Sequence, residues 1–178
     1  MKQTLLIITA VMLVVGFTSG QEPIDGSTLV YKDDLMYAPG SDKPYSGVAV
    51  WYNSGQKEYE STFKDGERNG LQTWWYENGQ KGYEGTFKDA KSNGQYTRWY
   101  KSGVKMFEGE YRNDLLITDK GWKPNGQLNE TNVVNGTGKV VDYYETGQKK
   151  YEGTFKDGEE ISNECWDKDG NEMDCSEQ

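Results

Sequence analysis

The chain has 178 residues, with 20 Lys and Arg against 29 Asp and Glu, a formal charge of −9, no histidine and two cysteines. The missing histidine excludes Ser-His-Asp and Cys-His nucleophile pairs and His-containing zinc sites, because no other side chain offers a neutral imidazole near pH 7. The acidic balance lacks the basic footprint that dominates nucleic-acid affinity and draws proteins to anionic lipid, so nucleic acid is excluded as a partner and membrane-lipid binding is disfavoured.

In chain order, Met1 and Lys2 precede an apolar run from Leu5 to Phe17, followed by Thr18-Ser19-Gly20-Gln21. This is the pattern of a signal peptide helix over residues 1–20 with a small-residue cleavage site. A helix of about 13 residues spans roughly 20 Å, short of the about 30 Å hydrocarbon core. An N-terminal membrane anchor is the alternative. Cleavage removes one lysine and no acid, taking the charge from −9 to −10 in a protein expected to be secreted or periplasmic.

Residues 21–46 carry Pro23, Pro39-Gly40 and Pro44 around two extended runs, Leu29 to Tyr31 and Leu35 to Tyr37, and are expected to form an opening hairpin that caps the first repeat. One period then organises residues 47–164. Turn glycines stand at Gly55, Gly79, Gly103, Gly126, Gly147 and Gly170, separated by 24, 24, 23, 21 and 23 residues. Four residues before each is an aromatic: Trp51, Trp75, Trp99, Trp122, Tyr143 and Trp166. Four and eight residues after the glycine come Tyr59 and Phe63, Tyr83 and Phe87, Phe107 and Tyr111, and Tyr151 and Phe155.

In Tyr83-Glu84-Gly85-Thr86-Phe87-Lys88 every second residue is aromatic or glycine and the rest are polar, the period of a half-buried strand. With a second extended run before each glycine, every unit is a β-hairpin. An isolated hairpin is marginal in water, so successive units must bury their aromatics against one another. The expected fold is all-β: an elongated antiparallel meander of repeated hairpins, with these aromatics as its structural core. Gly85, Gly109 and Gly153 are expected to admit a facing ring, and Ser61 to do the same less well. Residues 114–137, where Glu130 and Val134 replace the aromatics, are expected to be irregular with a longer connection. Residues 165–178 form a C-terminal capping hairpin and tail, and Cys165 and Cys175, flanking its turn, are a candidate disulfide.

The string GQKxYEGTFKDG, present from Gly79 to Ala90 with Ala last and complete from Gly147 to Gly158, resembles the MORN-variant repeat of the YwqK family of bacterial antitoxins. The segments Ser41 to Gly47 and Cys165 to Cys175 resemble that family's ends. The resemblance implies a MORN-type repeat sheet without catalysis that binds and neutralises a co-encoded toxin. With a secretory leader, it implies immunity outside the cytoplasm.

No catalytic, cofactor or metal site emerges from the spacing. Glu60, Glu84, Glu108 and Glu152 lie on the polar strand face, laid out for ion pairs with the basic residues that follow them, and nothing selects a glycosidase-type carboxylate pair. Asp167, Asp169, Asn171 and Glu172 around Gly170 lack the twelve-residue calcium-loop order and mark a turn. The expectation is therefore a non-enzymatic protein-binding repeat protein whose partner is a toxin or an envelope component. An envelope spacer and a glycan-binding module using Trp74 or Tyr100 are the alternatives.

Overall fold

The computed structural model describes residues 22–177, so the expected signal peptide helix lies outside the described residues. The strands are β1 (Ile24–Asp25), β2 (Val30–Lys32), β3 (Leu35–Tyr37), β4 (Gly47–Asn53), β5 (Gln56–Lys64), β6 (Glu67–Trp75), β7 (Lys81–Lys88), β8 (Lys91–Trp99), β9 (Lys105–Arg112), β10 (Leu115–Trp122), β11 (Leu128–Val134), β12 (Thr137–Tyr143), β13 (Lys149–Lys156), β14 (Glu159–Trp166) and β15 (Glu172–Met173). Thirteen of them form one sheet in chain order, and β2 and β3 form a separate hairpin. From β4 to β15 every neighbour is antiparallel. The opening segment adds something the sequence did not suggest: β1 runs parallel to β4, with Ile24 opposite Ala49, and so covers the first edge of the sheet.

Two kinds of turn alternate. At one end, two-residue turns place both central residues at positive φ, as in Asp65-Gly66 (51° and 86°), Asn113-Asp114 (51° and 69°) and Asp157-Gly158 (55° and 87°). Such turns match the right-handed twist of the strands they join, which is why Asn, Asp and Gly occupy them. Their backbones are stitched to one another: Ala90 N–H donates to Arg68 O (3.0 Å) and Asp114 N–H to Ser92 O (3.0 Å). Further along, Gly158 N–H donates to Gly136 O (2.9 Å), and Leu116 N–H to Gly158 O (3.1 Å). The last of these joins β10 to the turn between β13 and β14, well beyond the step the other bonds make, so the sheet curls there.

At the other end, four-residue turns recur. Gly79 N–H donates to Tyr76 O, and the pattern returns at Gly103, Gly126, Gly147 and Gly170, each with φ between 81° and 91°. Within 114–137 the turn at Gly126 is built like the rest, while β10 and β11 pair at Asp119, Lys120 and Trp122 with a register shift between the last two. Asn113-Asp114 supplies the two positive-φ positions that a Gly would otherwise provide.

The first hairpin departs from this rule. It closes through Ser54-Gly55 (φ 49° and 81°) with Asn53 opposite Gln56, one turn residue fewer than in later repeats. Strand register therefore equates Trp51, opposite Tyr59, with Trp74, opposite Tyr83. Glycine spacing had equated Trp51 with Trp75. In register, Trp51, Tyr59, Trp74, Tyr83, Arg98 and Phe107 form one row across the sheet. Beyond a bulge, Trp75, Trp99 and Tyr143 stand opposite Lys81, Lys105 and Lys149, while Trp122 faces Leu128 and Trp166 faces Glu172.

The single aromatic ladder expected from the period is thus two. One row fills the face that holds the core. The other is roofed by lysines: Lys57 over Trp75 (5.1 Å), Lys105 over Trp122 (5.2 Å), Lys123 over Tyr143 (5.0 Å) and Lys149 over Trp166 (5.0 Å). The acids pair with the lysine three residues before them, not with the basic residues that follow: Lys57 with Glu60 (2.6 Å), Lys81 with Glu84, Lys105 with Glu108 (2.9 Å) and Lys149 with Glu152 (2.6 Å). A third set links repeats edgewise. The hydroxyls of Tyr76, Tyr100 and Tyr144 donate to the carbonyls of Trp99, Trp122 and Trp166 (2.8, 2.9 and 2.8 Å). Tyr100 is 1% exposed, which removes it as an outward-facing ligand platform.

Two cores result. Tyr45, Ala49 and Phe63 are buried under the opening segment with Trp51 against them, and Tyr96, Tyr100, Met106, Phe107, Leu116, Val133 and Val140 are buried in the curled half. Cys165 and Cys175 are bridged, with Cα atoms 5.2 Å apart, which ties the tail to β14.

Candidate binding groove

Where the sheet curls, its inner face encloses a cavity of about 640 Å³. Its walls are largely the repeated aromatics: Tyr83 on β7, Phe107 and Tyr111 on β9, and Tyr151 and Phe155 on β13. The glycines between them make this possible by a route other than the one expected. A Cβ on Gly85 would lie 2.1 Å from the Tyr83 hydroxyl, and one on Gly153 would lie 2.1 Å from that of Tyr151. The ring lying over each glycine therefore comes from its own strand, two residues earlier. At Gly109 a Cβ would meet the Thr118 carbonyl at 2.1 Å and the Tyr96 ring at 2.9 Å, so there the neighbour is across the sheet. Of the remaining repeat aromatics, Tyr59 packs on Trp51 (5.1 Å between centroids), Phe63 joins the first core, and Phe87 lies under the Arg68 guanidinium (4.8 Å).

The polar groups of the groove come mainly from strands between the aromatic ones. Arg98 follows Tyr96 on β8, Asp119 lies on β10, Asp142 on β12, and Lys150 and Glu160 complete the lining. Asp119 is 5% exposed, and one of its carboxylate oxygens accepts the Lys120 N–H at 2.9 Å. Burial pushes its pKa up to about 7, against the pull of the adjacent Tyr96 hydroxyl, that N–H and the Arg98 charge. Asp142 is raised for the same reason, and Arg98 again opposes the shift. The Tyr83 phenol is pushed up to about 12 and Tyr96 further still, burial being the main cause in both. The Tyr151 hydroxyl donates to Glu160.

None of these five charged residues was singled out by the sequence. Arg98 and Asp142 sit at an inward position that other repeats fill with Trp74, Gly121 or Cys165, and Asp119 at one filled by Gln72, Tyr96, Val140 or Asn163, a departure visible only after repeats are aligned on strand register. The groove sets aromatic faces beside three acids and two cations, an arrangement suited to gripping a ligand segment. Among the described residues no three His, Cys, Asp or Glu side chains cluster as a metal ion would require.

The model of the MORN repeat variant matches residues 68–89, 92–113 and 137–157. Each match takes in two strands joined by a four-residue turn: β6 and β7, β8 and β9, β12 and β13. These three segments are MORN repeats of the variant type. MORN repeats are generally associated with protein or membrane binding. No curated protein matches this chain. The three matched MORN segments carry most of the aromatic walls of the groove, together with Arg98 and Asp142, whereas Asp119 lies outside them.

Proposed function

We propose that this protein is a non-enzymatic binding scaffold that grips a segment of a partner protein in the groove between β7 and β14. The observation that supports it most is the division of labour along the inner face. Repeated Tyr, Gly and Phe build the walls, and the non-repeated Arg98, Asp119 and Asp142 supply charge inside a cavity of ligand size. Repeat sheets of this kind present a concave surface whose inward residues can change without loss of the stack. Membrane lipid is disfavoured by the net charge of −9.

The protein acts outside the cytoplasm, behind a cleaved leader. Its resemblance to the YwqK family supports an antitoxin-like or immunity role toward a toxin encoded beside it. The test is calorimetric titration of the purified protein with the products of its neighbouring genes, using wild type, Arg98→Glu and the outer-face control Glu84→Gln. One neighbour should bind, with affinity reduced at least about tenfold by Arg98→Glu and unchanged by Glu84→Gln. Binding that ignores Arg98→Glu would refute the groove. Absence of binding by any neighbour would refute the antitoxin-like role, and a mature N-terminus other than Gln21 would refute cleavage at the expected site.

A further inference from the structure

The edgewise tyrosine bonds are interrupted at two places, and the first interruption opens a second cavity at the opposite end of the sheet from the curled half. Register equates Asn53, opposite Gln56, with Tyr76, whose backbone pairs with Gln80. The shortened first turn thus places an asparagine where later repeats have the phenol that reaches the next tryptophan's carbonyl. Tyr52, the neighbouring aromatic, is 59% exposed and does not replace it. A cavity of about 660 Å³ lies there, lined by both Trp74 and Trp75. At the second interruption Lys123 occupies the phenol's position and a smaller cavity of about 380 Å³ remains, lined by Pro124, Asn125 and Glu145 and without an aromatic ring. Loss of the phenol accounts for both cavities; only the first combines the space with indoles.

We propose that the Asn53–Trp75 cavity is a saccharide subsite for a β-linked pyranoside chain, a function separate from that of the groove. Its chemistry favours such a ligand over a charged or an apolar one. Lys57 and Lys101 balance Glu58 and Glu77, so the lining carries no net charge. The amides of Asn53 and Gln56 and the two carboxylates offer donors and acceptors around the indoles. Pyranosides with equatorial substituents and β-linkages present flat C–H faces that stack on aromatic rings, with hydroxyls projecting from the rim toward such polar groups. A hydroxyl of the sugar takes the position of the missing phenol. Lys57, whose Nζ lies over the Trp75 ring at 5.1 Å and pairs with Glu60, covers one face of that indole, and the sugar displaces it or takes the other face.

The experiment follows tryptophan emission of the full chain during titration with cellotetraose, chitotetraose and α-linked maltotetraose. The expected result is a saturable change with at least one β-linked tetraose and a weaker one with maltotetraose. Trp75→Ala should weaken binding at least about tenfold. Asn53→Tyr is the decisive variant, because it restores the phenol and fills the cavity while removing no core side chain. It should abolish the response while leaving the thermal midpoint at or above that of wild type. No saturable response to either β-linked tetraose, tighter binding of maltotetraose, or wild-type binding by Asn53→Tyr would each overturn the proposal.

Discussion

Asp119 makes the most direct test of how the curled half is built. Its folded-state pKa of about 7 lies above the ordinary 3.8, so between those values the native state holds a proton that the unfolded state has released. Stability is therefore lost as pH rises through this window, and the loss is complete above about pH 7. Linkage for this single site, with its folded and unfolded pKa values, gives a loss of about 2–3 kcal/mol between pH 5 and pH 8. Asp119→Asn keeps the acceptor for the Lys120 N–H and removes the titration. The assay is urea unfolding of both proteins at half-unit pH intervals. The wild-type curve should fall by about 2–3 kcal/mol relative to that of the variant from pH 5 to 8. The chain has no histidine, which leaves few other groups to titrate in that range; Asp142, also raised, is controlled by repeating the series with Asp142→Asn. Parallel curves for wild type and Asp119→Asn would refute the claim that this carboxyl is buried against its charge.

Other perturbations probe separate parts of the frame. Tyr100→Phe removes a buried hydroxyl that bonds the Trp122 carbonyl at 2.9 Å and should cost about 1–2 kcal/mol in thermal or urea unfolding. The same change at the less buried Tyr144 should cost less. Gly109→Ala drives a methyl to within 2.1 Å of the Thr118 carbonyl, which cannot move without disturbing β10. A loss of about 1–3 kcal/mol is expected, read as a lower midpoint with β structure retained by circular dichroism. Reduction of Cys165–Cys175 opens a loop of ten residues and should cost about 2–3 kcal/mol in urea unfolding with and without reductant, with exchange protection lost first at β15.

The meander was legible because its cause is local. Alternation in Tyr83 to Lys88 and the recurrence of turn glycines are properties of adjacent residues, and the hairpins follow from them. Burial of Tyr100 and the two-row division of the aromatics were not legible, because both depend on the bulge at the end of each strand before the turn, which shifts Trp75 past the row that Trp74 occupies. Counting from Gly55 concealed a missing turn residue, so Trp51 was aligned with the wrong tryptophan. The groove escaped for a different reason. Arg98, Asp119 and Asp142 belong to strands far apart in sequence, and only the curl of the sheet, fixed by the Gly136, Gly158 and Leu116 backbone bonds, brings them around one space.

That curl also constrains how binding specificity could change. On the inner face, residues contributed by β5, β7, β9 and β13 are the repeated Tyr, Phe and Gly whose rings and missing side chains set the spacing between strands. The strands between them present Trp74, Arg98, Gly121, Asp142 and Cys165 along one row, and Gln72, Tyr96, Asp119, Val140 and Asn163 along another. Tyr96 and Val140 belong to the core and Cys165 to the disulfide, so of these positions Arg98, Asp119 and Asp142 are the ones that line the groove without building the stack. A charge in the wall positions would strand a buried ion between rings, and a ring at Asp142 would fill the cavity. The charged lining of the groove thus comes mainly from one strand in two, and the others hold its curvature.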